Sequence, residues 1–454
     1  MLGVVVLVHE FGHFIVAKAF GIYVKVFSVG FGKKILRRRF GETEYVLSIL
    51  PFGGYVKFAG ESEYYDDDVE EEADDSGEAQ KKKDHGEVSD RDIPRERYFT
   101  VKPKHARAAV LFAGPFMNYL AAIIIYVAVM YVQGVQVTPT TTIGEVAIGG
   151  VADSAGVESG DEIIAIDGEP VAHWADVTAP FVADPTAERE LTINRGGLER
   201  TIAFTPRLEA GQIILGFHAH LSSQIGRVQK NKPAWKAGIR AGAVIESIND
   251  TTVTTYEEVR RIVHANAGNP LYVRWRQGSE AVADTIIPES KDVLKSAGSS
   301  ELISIGVIGI GPEFVRVRRG LARSLSDGIG TANRMTIQII SYLGKLFRGQ
   351  MGVKTLGGPI LITQMAGDVA NWGFDYLLLF LAFFNINLCI FNLLPILPFD
   401  GGHLAILGIE VITRRSLNRR VREWLTQGGF ILIILLMLFV LMLDLTRCSG
   451  KSPF

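Results

Sequence analysis

Apolar residues are concentrated in four runs along the chain, and each run predicts a helix that crosses a membrane. The runs cover residues 2–20, 108–132, 376–397 and 429–445. A helix needs about 20 mostly apolar residues to span the hydrocarbon core of a bilayer. The first run is barely long enough, and no basic residues precede it, which argues against a cleaved signal peptide. The pattern therefore predicts a four-helix membrane core.

The orientation of these helices follows from lysine and arginine, which favour the cytoplasmic side of a membrane. The segment between the first and second runs is rich in both residues. Five arginines stand between the third and fourth runs: Arg414, Arg415, Arg419, Arg420 and Arg422. Both segments are therefore predicted to be cytoplasmic, and residues 133–374 and both termini are predicted to lie on the opposite side.

The segment after the first run is typical of β structure. Residues 45–50 are β-prone, and Gly53-Gly54 follows them, so residues 21–60 predict a β-loop close to the membrane. Runs of Asp, Glu and Lys between 61 and 92 cannot bury a core, so we predict a disordered cytoplasmic insert there.

An internal repeat occupies the region between the second and third runs. The first copy contains Ala155-Gly156-Val157 and then Gly160-Asp161, which leads into an apolar strand ending at Asp167-Gly168. The second copy repeats this order from Ala237 to Asp250. Each copy resembles a PDZ domain, a module that binds an extended peptide as an added strand. The alternative is a pair of β-rich spacers that bind nothing.

After the repeat, apolar residues return at helical spacing. Ile337, Ile340, Leu343 and Phe347 predict an amphipathic helix that packs on the membrane or on the repeat. The fold class is therefore predicted as an α+β membrane protein. Its predicted parts are membrane helix 1 (1–20), the β-loop (21–60), a charged cytoplasmic loop (61–107), membrane helix 2 (108–132), two PDZ-like domains (133–220 and 221–290), a linker with amphipathic helices (291–374), membrane helix 3 (375–400), a cytoplasmic loop (401–428) and membrane helix 4 (429–446).

Composition narrows the function classes. The 454 residues carry a net charge of −2, which gives no indication of a nucleic-acid partner. The mean hydropathy of +0.21 is high for a protein without membrane segments. The two cysteines, Cys389 and Cys448, do not suggest a disulfide framework.

The first apolar run contains the motif His9-Glu10-Phe11-Gly12-His13, or H-E-x-x-H. Residues four apart share one face of a helix, so both imidazoles can point at one metal ion. Zinc acidifies a water molecule that it binds, and Glu10 can accept the proton. Polar side chains inside an apolar run need partners, so the alternative is two histidines that bond to neighbouring helices.

A catalytic zinc held by two histidines needs a third protein ligand. Asp400 is the candidate, because it follows Pro395 and Pro398, which break the helix, and precedes Gly401-Gly402, which permits an unusual backbone. Asp400 can also be read as a helix cap at the membrane surface. His403 is the alternative ligand.

Taken together, these motifs resemble the site-2 protease family of intramembrane zinc metalloproteases, and within it the bacterial RseP group. The resemblance is carried by H-E-x-x-H, by Gly114-Pro115-Phe116-Met117-Asn118, by the PDZ-like repeats and by Asn392-Leu393-Leu394-Pro395 through Asp400-Gly401-Gly402. Phe399 stands where the family usually has Leu, and the acidic insert is larger than usual.

The resemblance implies an activity, a location and a set of roles. His9, His13 and Asp400 would bind Zn²⁺, and Glu10 would act as the base. Asn392, Asn387, Gly30 and Gly32 would contact the substrate, the glycines as part of a β-loop edge that holds it as a strand. The implied protein lies in the bacterial inner membrane with periplasmic PDZ domains and termini. Its implied substrates are single-pass membrane proteins such as the anti-sigma factors of the envelope stress response, and remnant signal peptides.

Two other functions use the same residues. A membrane metal carrier or sensor would need the histidines and Asp400 but no base at Glu10. An inactive scaffold would dock peptides on its PDZ-like domains and hold no zinc.

Overall fold

The computed structural model describes residues 1–60, 92–209, 212–294, 302–350, 357–415 and 417–449. Nearly all of the predicted charged insert lies outside the described residues. The chain divides into two compact units, one formed by Met1–Met130 with Gly320–Phe454 and the other by Tyr131–Arg319.

Both units contain helices, which are longest in the first unit. They are α1 (Leu2–Ala19), α2 (Lys104–Gln133), α3 (Val151–Ser154), α4 (Trp174–Ala183), α5 (Pro233–Lys236), α6 (Tyr256–Ala265), α7 (Leu321–Phe347), α8 (Pro359–Trp372), α9 (Phe374–Asn392), α10 (Asp400–Thr413) and α11 (Arg419–Ser449). A short 3₁₀ helix covers Arg95–Arg97.

The strands are short, with the exception of the first two. They are β1 (Val24–Phe40), β2 (Thr43–Phe58), β3 (Val135–Val137), β4 (Ile143–Val146), β5 (Glu162–Ile166), β6 (Glu169–Pro170), β7 (Arg189–Arg195), β8 (Leu198–Phe204), β9 (Arg207–Glu209), β10 (Gln212–Ile214), β11 (Phe217–Ala219), β12 (Ile225–Val228), β13 (Val244–Ile248), β14 (Thr251–Thr252), β15 (Leu271–Gln277), β16 (Glu280–Ile286), β17 (Glu289–Leu294), β18 (Leu302–Val307), β19 (Ile310–Pro312) and β20 (Val315–Val317).

Three helices among the described residues are long and apolar enough to cross a membrane, namely α2, α9 and the part of α11 from Arg420 to Leu445. They coincide with the second, third and fourth predicted runs. The first predicted run forms α1, an 18-residue helix, and the four-helix membrane core stays a prediction.

The third membrane helix ends earlier than predicted. Its last residue is Asn392, because a helix does not continue easily into the residue before a proline. Asp400 opens α10 instead of closing the third helix. Residues 401–428, predicted as a loop, therefore contain most of α10 and the start of α11.

The first unit has a helical core in which α2, α7 and α9 meet. Ala122 and Tyr126 of α2 pack with Ala332 of α7 and with Ala382 and Ile386 of α9. The predicted amphipathic helix is thus α7, whose outer face leaves Ile337, Ile340 and Phe347 exposed.

A buried carboxylate joins two helices of this unit. Asp444 of α11 is 1% exposed, and its oxygens accept hydrogen bonds from the backbone N–H groups of Gly358, Ile360 and Leu361 at 3.0–3.1 Å. These N–H groups belong to the first turn of α8, where a helix leaves its donors without intrahelical partners. Asp444 therefore caps α8 from a distant part of the chain.

The predicted β-loop is the antiparallel pair β1–β2. Phe27 of β1 pairs with two residues of β2, Tyr45 near its start and Val56 near its end. The two long strands therefore bend so that β2 flanks the first part of β1 on both sides. Apolar residues at the base of the pair pack with α1 and α2, since Ala17, Ile22, Val24, Phe58 and Val110 form one buried cluster. The packing holds β1–β2 beside the H-E-x-x-H helix.

The second unit contains the internal repeat as two sheets of the same design. Each is antiparallel, with strand orders β6-β5-β7-β8 and β14-β13-β15-β16, and each has one ten-residue helix, α4 or α6, between its second and third strands in the chain. The two sheets have separate hydrophobic cores. The repeat seen in the sequence is therefore a repeat of structure, and its identity as two PDZ domains stays a prediction.

The second copy extends further along the chain than its predicted end at residue 290. Strand β19 pairs with β12, and Ile308 lies in the core of the second copy. Pairing between β20 and β3 then brings both ends of the unit together. The predicted linker at 291–374 thus begins with strands that complete the second copy.

Candidate metal centre

The H-E-x-x-H motif lies in α1, which places its two histidines on one side of the helix. The Nε2 atoms of His9 and His13 are 3.1 Å apart. Both side chains are buried, at 7% and 8% exposure. Two imidazole nitrogens so close together in an apolar setting need a shared cation or proton.

Asp400 completes the cluster from the start of α10. Its Oδ2 lies 3.1 Å from Nε2 of His9 and 3.5 Å from Nε2 of His13. The turn that carries it is compact: a Cβ on Gly401 would overlap the Leu393 carbonyl, and one on Gly402 would lie 2.6 Å from the Leu397 nitrogen. The glycine pair thus lets α10 begin against the end of α9.

These three atoms fit a tetrahedral zinc ion. Ligands at about 2.0–2.1 Å from such an ion lie roughly 3.3 Å from one another, which the 3.1–3.5 Å separations match. Within the described part of the chain, His9, His13 and Asp400 are also the one group of potential ligands close enough to share an ion. Two imidazoles and one carboxylate leave a fourth position open, as in catalytic zinc sites.

Glu10 adjoins the cluster from the same turn of α1. Val56 of β2 lines the same cavity as Glu10, and a Cβ on Gly54 would lie 3.3 Å from Glu10 Cγ. A cavity of about 190 Å³ opens beside Glu10, His13 and Asp400. The carboxylate therefore stands between the three ligand atoms and one stretch of β2.

Helix α2 passes close behind the histidines. His13 Nδ1 lies 2.8 Å from the Val110 carbonyl, which orients the ring with Nε2 toward Asp400. A Cβ on Gly114 would overlap His13 Nε2 and would lie 2.8 Å from Cε1 of His9. A Cβ on Gly12 would likewise overlap the Ala113 carbonyl. The centre thus requires glycine at both helix contacts, as small residues let membrane helices approach closely.

Two asparagines approach His9. Nδ2 of Asn118 lies 3.3 Å from Nδ1 of His9, and Nδ2 of Asn392 lies 3.4 Å from the same atom. Asn392 was predicted at this site. In the sequence, Gly114 and Asn118 stand out only as members of a family motif. A small and a polar residue four apart in an apolar helix is the one local pattern that indicates a contact with another helix there.

The other predicted residues lie apart from the cluster. Asn387 donates to the Phe383 carbonyl of its own helix. Gly30 and Gly32 have φ angles of 90° and 86°, and their neighbours are residues of β2. His403 lines the cavity one turn after Asp400, outside the group of three ligands.

Comparison with known proteins places the chain in a family. The profile of peptidase family M50 matches residues 1–436. The regulator of sigma-E protease RseP of Escherichia coli is 32% identical over 98% of this chain and 97% of its own length. Protease RseP of Yersinia pestis has the same identity and coverage, and a Vibrio cholerae protein named as a zinc metalloprotease is 31% identical over the same shares.

Among solved structures, the PDZ domain of an SdrC-like protein from Listeria monocytogenes matches 21% of this chain and 90% of that chain. Its identity is 17% and its TM-score is 0.16. The family match, by contrast, covers the cluster, the membrane helices and the repeat together. The chain therefore belongs to peptidase family M50, the site-2 protease family of membrane metalloproteases.

Proposed function

We propose that this protein hydrolyses peptide bonds in or next to the membrane-spanning segment of single-pass membrane proteins. One zinc ion, held by His9, His13 and Asp400, would serve the reaction, and Glu10 would be its general base. The observation that carries the proposal is the convergence of Nε2, Nε2 and Oδ2 from two ends of the chain, with a carboxylate beside them. A relative named as a zinc metalloprotease supports the choice of metal.

The chemistry of the site divides between the metal and the protein. Zinc, when bound, would polarise the scissile carbonyl and would lower the pKa of a water molecule, which becomes the nucleophile once it has lost a proton. Glu10 accepts the proton of that water and can return it to the leaving amine. Gly54 of β2 lies against the Glu10 side chain and would limit its movement during both transfers.

A substrate helix must unwind before it can be cut, because its carbonyls are already hydrogen-bonded. We propose that β2 receives the unwound segment as an added strand near Gly54 and Val56, the residues next to Glu10. Asn392 is partly exposed and would bind the substrate backbone from the other side.

The proposed setting is the inner membrane of a bacterium, with the internal repeat and both termini in the periplasm. Two relatives carry the name regulator of sigma-E protease. This name supports anti-sigma factors as substrates. Remnant signal peptides have the same single-helix form and would suit the same site.

The two copies of the repeat differ at the edge where a peptide would add. In the second copy, the Tyr256 hydroxyl at the start of α6 donates to the Ile310 carbonyl of β19 at 3.1 Å. The Gly309 carbonyl accepts a hydrogen bond from the backbone N–H of Gln229, next to β12. The Ile310 carbonyl therefore faces the opposite side, where a peptide would add. In the first copy, Trp174 at the start of α4 instead packs its ring on Phe217. We infer that peptides dock more readily on the first copy.

Tyr256→Phe tests this difference by removing one hydroxyl. Burial raises the pKa of Tyr256, so the hydroxyl stays protonated and donates near neutral pH. Loss of one hydrogen bond of about 1 kcal/mol should speed amide exchange across residues 308–311 about fivefold. Hydrogen–deuterium exchange on the purified protein measures this, with Tyr272→Phe, an exposed tyrosine, as the control. Unchanged exchange in Tyr256→Phe would remove the proposed difference between the copies.

Metal analysis of the purified protein, paired with an assay on a reconstituted membrane peptide, tests the main proposal. We expect one zinc per chain, loss of cleavage on chelation and recovery when zinc is restored. Asp400→Asn should raise the Kd for zinc at least tenfold, because an anionic ligand is lost. Full zinc binding in Asp400→Asn would refute this ligand, and a metal-free wild-type protein would favour the scaffold alternative.

A further inference from the structure

Two side-chain amides approach one ring nitrogen of His9, and only one of them is fully buried. Asn118 of α2 is 0% exposed, whereas Asn392 at the end of α9 is partly exposed. Both amide groups lie within 3.4 Å of His9 Nδ1. Because Asn118 is fully buried, it can orient the His9 ring but cannot reach a substrate. Asn392, which is partly exposed, can contact one.

The position of the proton on the His9 ring determines whether the group beside Nδ1 must donate or accept a hydrogen bond. Its Nε2 is the atom that faces Asp400 and His13, so Nε2 supplies the lone pair for a metal. A neutral imidazole with a free lone pair on Nε2 carries its proton on Nδ1. The partner of Nδ1 must therefore be a hydrogen-bond acceptor, and the amide oxygen of an asparagine is one.

Asn118 can supply that oxygen. Its Oδ1 is buried and has no hydrogen-bond partner among the described residues. Rotating the amide by 180° exchanges oxygen and nitrogen, which are assigned only from their surroundings. The oxygen then lies 3.3 Å from His9 Nδ1. The amide nitrogen then takes the place of Oδ1 and points away from His9 Nδ1.

We propose that Asn118 is a positioning residue of the metal centre. It accepts the Nδ1 proton of His9, as the Val110 carbonyl does for His13 at 2.8 Å. Both orienting groups then come from α2, which fixes the tautomer and the direction of each ring. Asn392 is left to contact the substrate. The proposal rests on the zinc centre proposed above.

The Kd for zinc distinguishes a residue that orients a metal ligand from one that only contacts the substrate. Asn118→Leu keeps the size of the side chain but removes the acceptor, and its Kd for zinc should rise about 10–100-fold. Asn118→Asp keeps an acceptor, and its Kd should stay within about threefold of wild type. Asn392→Leu is the matched control: its zinc Kd should stay unchanged while its KM rises. Competition with a chromophoric chelator measures every Kd.

A second measurement needs no variant. In wild-type protein with ¹⁵N-labelled histidine and bound zinc, the Nδ1 resonance of His9 should show an attached proton. The proposal is overturned if Nδ1 carries no proton, if Asn118→Leu binds zinc as wild type does, or if Asn118→Asp is as weak as Asn118→Leu. Should Asn118→Leu fail to fold, the histidine spectrum and Asn118→Asp still decide. A wild-type protein without zinc would refute the proposed function itself.

Discussion

Glu10→Gln should leave the zinc content unchanged and should lower the rate of peptide hydrolysis about a thousandfold or more, since a general base contributes roughly 10²–10⁴. The substitution keeps the size of the side chain, which lies against Gly54 of β2. It removes only the capacity to accept a proton from water. The rate on a reconstituted membrane peptide and metal analysis of the same sample measure both effects.

This variant also separates the enzyme from a metal carrier. A carrier that uses His9, His13 and Asp400 has no need of a base, so zinc flux into vesicles would survive Glu10→Gln. The exposed Glu96 in the 3₁₀ helix provides a control, because Glu96→Gln makes the same change of charge away from the cluster. Undiminished proteolysis in Glu10→Gln would remove Glu10 from its proposed role.

The parts of the site that the sequence predicts are those determined by local geometry. The spacing of His9 and His13 places both on one helix face wherever that helix lies. Pro395 and Pro398 end α9 through their own backbone limits. These local features bring Asp400 to a turn, and the resemblance to a family paired that turn with the histidines 387 or more residues earlier in the chain.

The support behind the ligands could not be predicted, because it depends on packing between helices. Asn118 meets His9 across 109 residues of sequence, and no local pattern says which face of α2 turns toward α1. The helix within the predicted cytoplasmic loop at 401–428 could not be anticipated for a related reason. The basic residues at 414–422 predict the side of the membrane on which the segment lies, whereas the burial of Ile406 and Leu407 in α10 depends on neighbours that are distant in sequence.

The end of the second repeat copy could not be predicted either, because the pairing of its strands also joins segments that are distant in sequence. Strand β19 pairs with β12, about 80 residues earlier in the chain. An apolar run predicts a strand but not its partner, so the run after residue 301 was assigned to a linker. Topology of this kind is fixed by the shared core, in which Ile308 joins Ile225 and Ile245.

Gly114→Ala should abolish zinc binding, even though it adds one methyl group far from Asp400 in sequence. The added Cβ would overlap Nε2 of His13, the atom that must face the metal, and would lie 2.8 Å from His9 Cε1. Either α1 moves away from α2 or the rings turn, and a displaced ligand set loses affinity. We expect no zinc above background after purification and no cleavage of the membrane peptide.

The control for this variant is Gly408→Ala. Gly408 lies in α10, the helix that begins with Asp400, and a Cβ there meets nothing within 4 Å. Alanine in place of a helical glycine should stabilise the protein by up to about 1 kcal/mol and should leave zinc binding unchanged. Wild-type zinc content in Gly114→Ala would mean that α1 and α2 can separate without disturbing the histidines, and the close contact would then have no part in building the centre.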